Sequence, residues 1–200
     1  MSINPCVIHE TAAGGYRTTL EDERFAHREI ELQGPISRPV AMDVIRQLRY
    51  LAQEGKADIT ILISSPGGDI VSGLAVYDTM QSLKCDIRTV CIGEASSMAA
   101  ILFAAGTKGK RAILPNATVL IHDPILTDAS GPALSVEALT IRLMNIRKQI
   151  AEILSKHTGA HVDEILKLTA RDSYFNAEEA IRFGLADYVI REWGEDFEAG

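Results

Sequence analysis

The chain has 200 residues, of which 46% are hydrophobic, and its 20 basic and 27 acidic side chains give a formal charge of −7, the composition of one globular domain with ample core. The acidic balance argues against a nucleic-acid surface, which needs a basic face to release phosphate counterions, and no apolar run approaches the roughly 20 residues of a membrane span. Cys6, Cys85 and Cys91 lack CxxC spacing, so neither a disulfide framework nor a thiolate zinc site is expected; with no signal-like stretch in MSINPCVIHE, the expected compartment is the cytoplasm.

No repeat, low-complexity tract or Gly/Ser linker divides the chain. Residues 11–27, TAAGGYRTTLEDERFAH, are small and polar and read as a mobile arm. VAMDVIRQLRYLAQEG then has apolar residues at helical spacing and stops at Gly55. ADITILISSPGGDI reads as a buried strand ending at Pro66, Gly67 and Gly68; VSGLAVYDTMQSLK as a helix; IRTVCIG as a strand; and SSMAAILFAAG as an almost wholly apolar helix. RAILP and ATVLIHD are strand-like on either side of a Pro115–Asn116 turn. A long helix is expected from Ser135 to Lys156, shorter ones at VDEILKLTA and AEEAIRFG, and a closing strand at LADYVI. Strands alternating with helices mean an α/β domain with mainly parallel pairing.

Chemistry concentrates where strands run into helices. In TVCIGEASSMAA, Ser96 or Ser97 falls near a helix start, where free N–H groups can stabilise an oxyanion, although a lone serine there is ordinarily an N-cap. The glycines of SSPGGDI can expose N–H groups without a Cβ in the way, and GxxxxGK[ST] is absent, so this is no phosphate loop. His122 in LIHDP ends an apolar strand and is a candidate general base. His157 and His161 in KHTGAH are separated by a glycine that breaks helical alignment, and they read as surface residues. Asp172, in what looks like a connector between two helices, and Asp123, next to His122, are the candidate carboxylates. Consecutive strand side chains face opposite ways, which disfavours Asp123 as the partner of His122.

SSPGGDIVSGLAVYDTMQ, GEASSMAAILFAAGTKGKRAILPNATVLIHDP, SKHTG and ARDSYFNAEEAIRFGLADYVI, in this order, resemble the proteolytic subunits of Clp proteases (ClpP) from about Glu31 to Ile190. The resemblance implies a single-domain, crotonase-like α/β fold of stacked ββα units with a long handle helix, divided as arm 1–27, peptidase domain 28–193 and tail 194–200. It implies a serine endopeptidase of protein quality control with Ser97 as nucleophile, His122 as base, Asp172 as orienting acid, and the backbone N–H groups of Gly68 and Met98 as oxyanion hole. Ser96 is then structural. Self-association into heptameric rings, paired around a chamber, is implied too, with Arg171 on the basic side of an inter-ring contact. No metal or cofactor is implied in this subunit, since ATP is used only by a partner AAA+ unfoldase; substrates are polypeptides.

Three segments depart from the family. Thr60 and Leu62 stand where docking aromatics are usual, and the arm YRTTLEDERF lacks the usual axial-loop pattern, which leaves the unfoldase contact open. ILTDASGPALSVE replaces the glycine- and glutamine-rich segment that pairs rings. These departures motivate an alternative, a weakly active or partner-dependent subunit mixed with a paralogous ClpP. A remote alternative on the same fold is an acyl-CoA hydratase or isomerase.

Overall fold

The computed structural model describes residues 5–11, 14–125 and 133–193. Its centre is the apolar strand predicted before Pro66. β4 (Ile59–Ser65) has six of its seven residues buried, too apolar for a strand with a wet face, and it lies between two parallel neighbours, β3 (Glu29–Gln33) and β5 (Ile87–Ser96). β5 is long enough to hold two partners in succession. Its Thr89–Cys91 half pairs with β6 (Arg111–Ile113), and its Glu94–Ser96 half pairs with β7 (Thr118–Ile121). The Pro115–Asn116 turn separates β6 from β7, so the chain serves one strand twice. β8 (Ser173–Phe175) runs antiparallel to β7, and β9 (Tyr188–Val189) closes parallel to β6. The region expected to be a connector between two helices therefore contains a strand, too short to show a period of two.

Helices cover the sheet. α2 (Arg38–Glu54) buries Ala41, Val44, Leu48 and Leu51, the stripe predicted from its spacing. α3 (Ile70–Ser82) is capped by Asp69, whose side chain accepts from Ser72 N–H at 2.8 Å. α4 (Met98–Ala104) is buried at every position. α5 (Ala133–Thr158), with 26 residues, is about 39 Å long at 1.5 Å per residue. α6 (Val162–Thr169) follows, and α7 (Ala177–Phe183) starts in a reciprocal Asn176–Glu179 capping box and ends at the left-handed Gly184. Among the described residues no helix is long and apolar enough to cross a membrane.

The segment read as an arm carries elements of its own. β1 (Cys6–Thr11) and β2 (Gly14–Thr19) form an antiparallel hairpin, and α1 (Leu20–Ala26) begins in a Thr19–Asp22 capping box. α1 buries no residue, so no apolar stripe announces it. His9 Nε2 lies 2.6 Å from Glu23 Oε1 and ties the hairpin to the helix.

Arg111 joins the elements at the far end of the sheet. Its side chain is 3% exposed, and the guanidinium reaches Asp187 through Nε at 2.9 Å and Nη2 at 2.6 Å. Nη1 donates to the carbonyls of Ala104, His157 and Gly184, the C-terminal ends of α4, α5 and α7. Burial pushes the Asp187 carboxyl up, but hydrogen bonds from Arg111 and Gly109 N–H outweigh it and hold the group below its ordinary value. A carboxylate depressed in the fold adds stability above the unfolded value of 3.8, and that stability fades as pH falls through the folded value. Asp187→Asn should therefore lower unfolding free energy at pH 7 by about 3 kcal/mol. Urea midpoints across pH should show the gap to wild type narrowing below pH 4.

Candidate active site

The cleft is built on a close approach of three backbones. Pro66, Gly67 and Gly68 follow β4, and Ile36 follows β3; Ile36 N–H donates to Gly67 O at 2.8 Å, and Asp69 N–H donates to Ile36 O at 2.8 Å. A Cβ on Gly67 would lie 2.5 Å from Ser96 O and 2.7 Å from Ser97 Cβ, and one on Gly68 would lie 2.3 Å from Ile36 O. The two glycines therefore let the turn lie against both the β3–α2 loop and the β5–α4 junction.

Ser97 occupies that junction with φ 56 and ψ −121, a conformation non-glycine residues adopt at a cost of about 1–3 kcal/mol. Its N–H is fixed on Leu120 O of β7 at 2.8 Å. Its hydroxyl caps nothing, so the N-cap reading of this serine does not hold. Ser96 is the last residue of β5, 8% exposed, with Oγ donating to Glu94 Oε2 at 3.1 Å. Among the described residues, the N–H groups of Gly68 and Met98 have no hydrogen-bonding partner. They are close, because the space a Gly67 Cβ would fill lies 3.0 Å from Met98 N.

His122 leaves the end of β7 toward the same place. The antiparallel register pairs Ile121 with Ser173, and one more step sets His122 opposite Asp172. No hydrogen bond joins the two: His122 Nδ1 lies 2.6 Å from the backbone carbonyl of Asp123, and Asp172 is exposed. A carbonyl only accepts, so Nδ1 carries the proton and Nε2 is left as an acceptor. The Asp123 carboxylate points elsewhere, taking Arg147 Nε at 2.6 Å and Thr169 Oγ1 at 2.7 Å, while Asp123 N–H donates to Thr169 O. This clamp of β7 onto α5 and α6 went unread because its members lie 24 and 46 residues apart.

Ser97, His122 and Gly68 share a cavity of about 580 Å³. Its walls are mainly apolar, with Ile70 and Val71 on one side and Leu139, Leu143 and Ile146 of α5 on the other. Arg142 also lines it and was not singled out by sequence. Asp69, the lining carboxylate, is occupied in capping α3, and its bonds to Ser72 hold it below the usual carboxylate range.

Of the remaining residues, Arg171 is exposed, and no carboxylate pairs with it among the described residues. Thr60 and Leu62 are 8% and 5% exposed; Leu62 joins Val90, Ala112 and Ile190 in a small cluster apart from the main core. Residues 126–132 of the altered ring-pairing segment, and 1–4, 12–13 and 194–200, lie outside the described residues. The surface reading holds for the exposed His161 but not for His157. The His157 ring is half-buried edge-on to Tyr77, with Nε2 3.2 Å from the phenol oxygen; burial, with Lys156 and Arg111 nearby, drops it to about 4. No group of three His, Cys, Asp or Glu among the described residues could hold a metal.

Fold and cleft thus define an α/β protein whose sheet ends in a strained serine facing an apolar, peptide-sized cavity. The profile of the Clp protease family matches residues 15–193. Over 190 residues the chain is 41% identical to the ATP-dependent Clp protease proteolytic subunit of Carsonella ruddii (strain PV), spanning 94% of this chain and 97% of that protein. The chain belongs to the Clp protease family and is a serine-type peptidase.

The glycine turn offers a matched test. Gly67 and Gly109 share φ 88, but nothing lies within 4 Å of a Cβ on Gly109. Gly109→Ala should cost about 1 kcal/mol for its backbone alone, and Gly67→Ala a further 1–3 kcal/mol of overpacking, making the loss read from urea unfolding roughly two to four times as large.

Proposed function

We propose that the chain is the proteolytic subunit of a Clp-type chambered protease and hydrolyses unfolded polypeptides with Ser97, His122 and Asp172. Ser97 Oγ attacks a peptide carbonyl while His122 Nε2 takes its proton, and the resulting oxyanion is held by Gly68 and Met98 N–H. His122 then protonates the leaving amine, and water releases the acyl group by the same steps reversed. Asp172 steadies the imidazolium. The single observation that carries the reading is the strained Ser97 facing two unengaged N–H groups in the cavity that also holds His122.

The working unit is a cytoplasmic assembly of heptameric rings, paired through contacts that include Arg171 and served by an AAA+ unfoldase that consumes the ATP; this subunit itself uses no metal or cofactor. The acyl-CoA alternative finds less support, since Asp69, the one carboxylate lining the cavity among the described residues, is committed to the cap of α3.

One observation favours the partner-dependent reading. His122 Nδ1 rests on the Asp123 carbonyl, which selects the useful tautomer but brings no full negative charge to an imidazolium. Bringing Asp172 into play requires the ring to leave that carbonyl, a change that ring assembly or a paralogous subunit can drive by extending the β7–β8 pairing from Ser173 to Asp172.

Intact-mass measurement after fluorophosphonate treatment tests both statements. Wild type and Ser96→Ala should gain one adduct, and Ser97→Ala none, with peptide hydrolysis falling about 10³-fold or more in Ser97→Ala. An adduct retained in Ser97→Ala would overturn the assignment. Across size-exclusion fractions, adduct rate per subunit should rise with assembly; equal rates in monomer and ring would remove the partner-dependent reading.

A further inference from the structure

We infer that Arg142 makes the substrate cleft selective for peptides carrying an acidic side chain beside the apolar residue that enters the cavity; the inference rests on the proposed peptidase reading of the same site. Leu139, Arg142, Leu143 and Ile146 fall at helical spacing on one stripe of α5, and all four line the cavity. Three are the apolar residues such a stripe calls for, and the fourth is a cation.

The charges around that cation leave it available. At three and four residues along α5 its neighbours are Leu139, Asn145, Ala138 and Ile146, none of them acidic. Among the described residues Arg142 forms no ion pair or hydrogen bond. Arg147, one turn onward, is by contrast held by the Asp123 carboxylate and Leu166 O. Among the described residues the other charged group that lines the cavity away from His122 is Asp69, which accepts from Ser72 N–H, so its charge is already matched at the start of α3. An extended peptide lying between α3 and α5 meets apolar wall from Ile70, Val71 and Leu143, and one uncommitted guanidinium at the rim. The arginine stem lies along the apolar stripe while its exposed head reaches a carboxylate, which it can take bidentately. A lysine at that position of the peptide meets a like charge.

A set of peptidyl diphenylphosphonates reads this selectivity at Ser97. Each carries leucine next to phosphorus and Glu, Gln or Lys at one of the two following positions, and the measurement is the second-order rate of adduct formation by intact mass. In wild type, Glu probes should react about tenfold faster than Lys probes at one position, with Gln between, and 0.5 M NaCl should compress the ratio. In Arg142→Gln the order should flatten, and in Arg142→Glu it should invert, each variant being normalised to its own Gln probe. A Glu preference that persists in both variants, or equal wild-type rates for all three probes, overturns the inference. A simple fluorophosphonate without a peptide separates the two failures. Wild type that accepts it but shows no charge order sinks only the selectivity, whereas wild type that accepts neither reagent sinks the peptidase reading and the selectivity with it.

Discussion

The site depends on one steric constraint, the contact of the Pro66–Gly68 turn with the backbone of Ile36 on one side and of Ser96 to Met98 on the other. Such a contact is possible only where Cβ atoms are missing, and it has a consequence for Ser97. That residue sits in a backbone conformation that would relax if its surroundings allowed it. Four restraints prevent this. β5 holds Ser96 in the sheet beside Leu120, Ser97 N–H is bonded to Leu120 O, α4 is buried on every side, and the glycine turn blocks the remaining direction. The strain is thus carried by the parts of the molecule with the least freedom to move, and the hydroxyl is left without a local partner.

The second constraint is topological. β5 takes β6 along its first half and β7 along its second, so β7 ends level with the β5–α4 junction. His122 follows β7 directly, and the short antiparallel β8 brings Asp172 to the same level from 50 residues further along the chain. Without the turn at Pro115–Asn116 the chain would continue past β5 and His122 would end elsewhere. The buried Arg111–Asp187 pair works at the opposite end, where β6, β9 and the ends of three helices meet, and it holds the frame on which β5 lies.

The elements legible in the sequence were those with a strong periodic or apolar signal: β4, α2, the buried α4 and the long α5. The hairpin and α1 were not legible, because α1 buries nothing and β2 is exposed over most of its length. β8 was missed for a different reason: three residues, SYF, become a strand only because β7 lies beside them. At the site, the glycine turn, the serine pair and His122 stand out as residues at strand ends. The partners of Asp123 do not, since pairing a carboxylate with Arg147 and Thr169 is a property of tertiary packing alone. Arg142 was hidden by its charge: it falls in an apolar stripe, but an arginine on a long helix usually signals a solvent face.

The arrangement of His122 separates two roles that a triad carboxylate performs together. Orienting the imidazole needs only an acceptor at Nδ1, and the Asp123 carbonyl at 2.6 Å supplies one. Stabilising the imidazolium that forms during proton transfer needs charge, and a neutral carbonyl contributes far less than a carboxylate in a partly enclosed site. The Asp123 carboxylate cannot take over, because Arg147 and Thr169 occupy both of its oxygens, and releasing them would free β7 from α5 and α6. The clamp that positions the end of β7 therefore excludes the nearest acid from the ring. In the proposed triad the charge comes instead from Asp172, exposed one register step beyond the β7–β8 pairing. On the proposed assignment of Asp172 as the acid, an exposed carboxylate opposite a histidine already in the required tautomer would couple full activity to whatever packs against that edge.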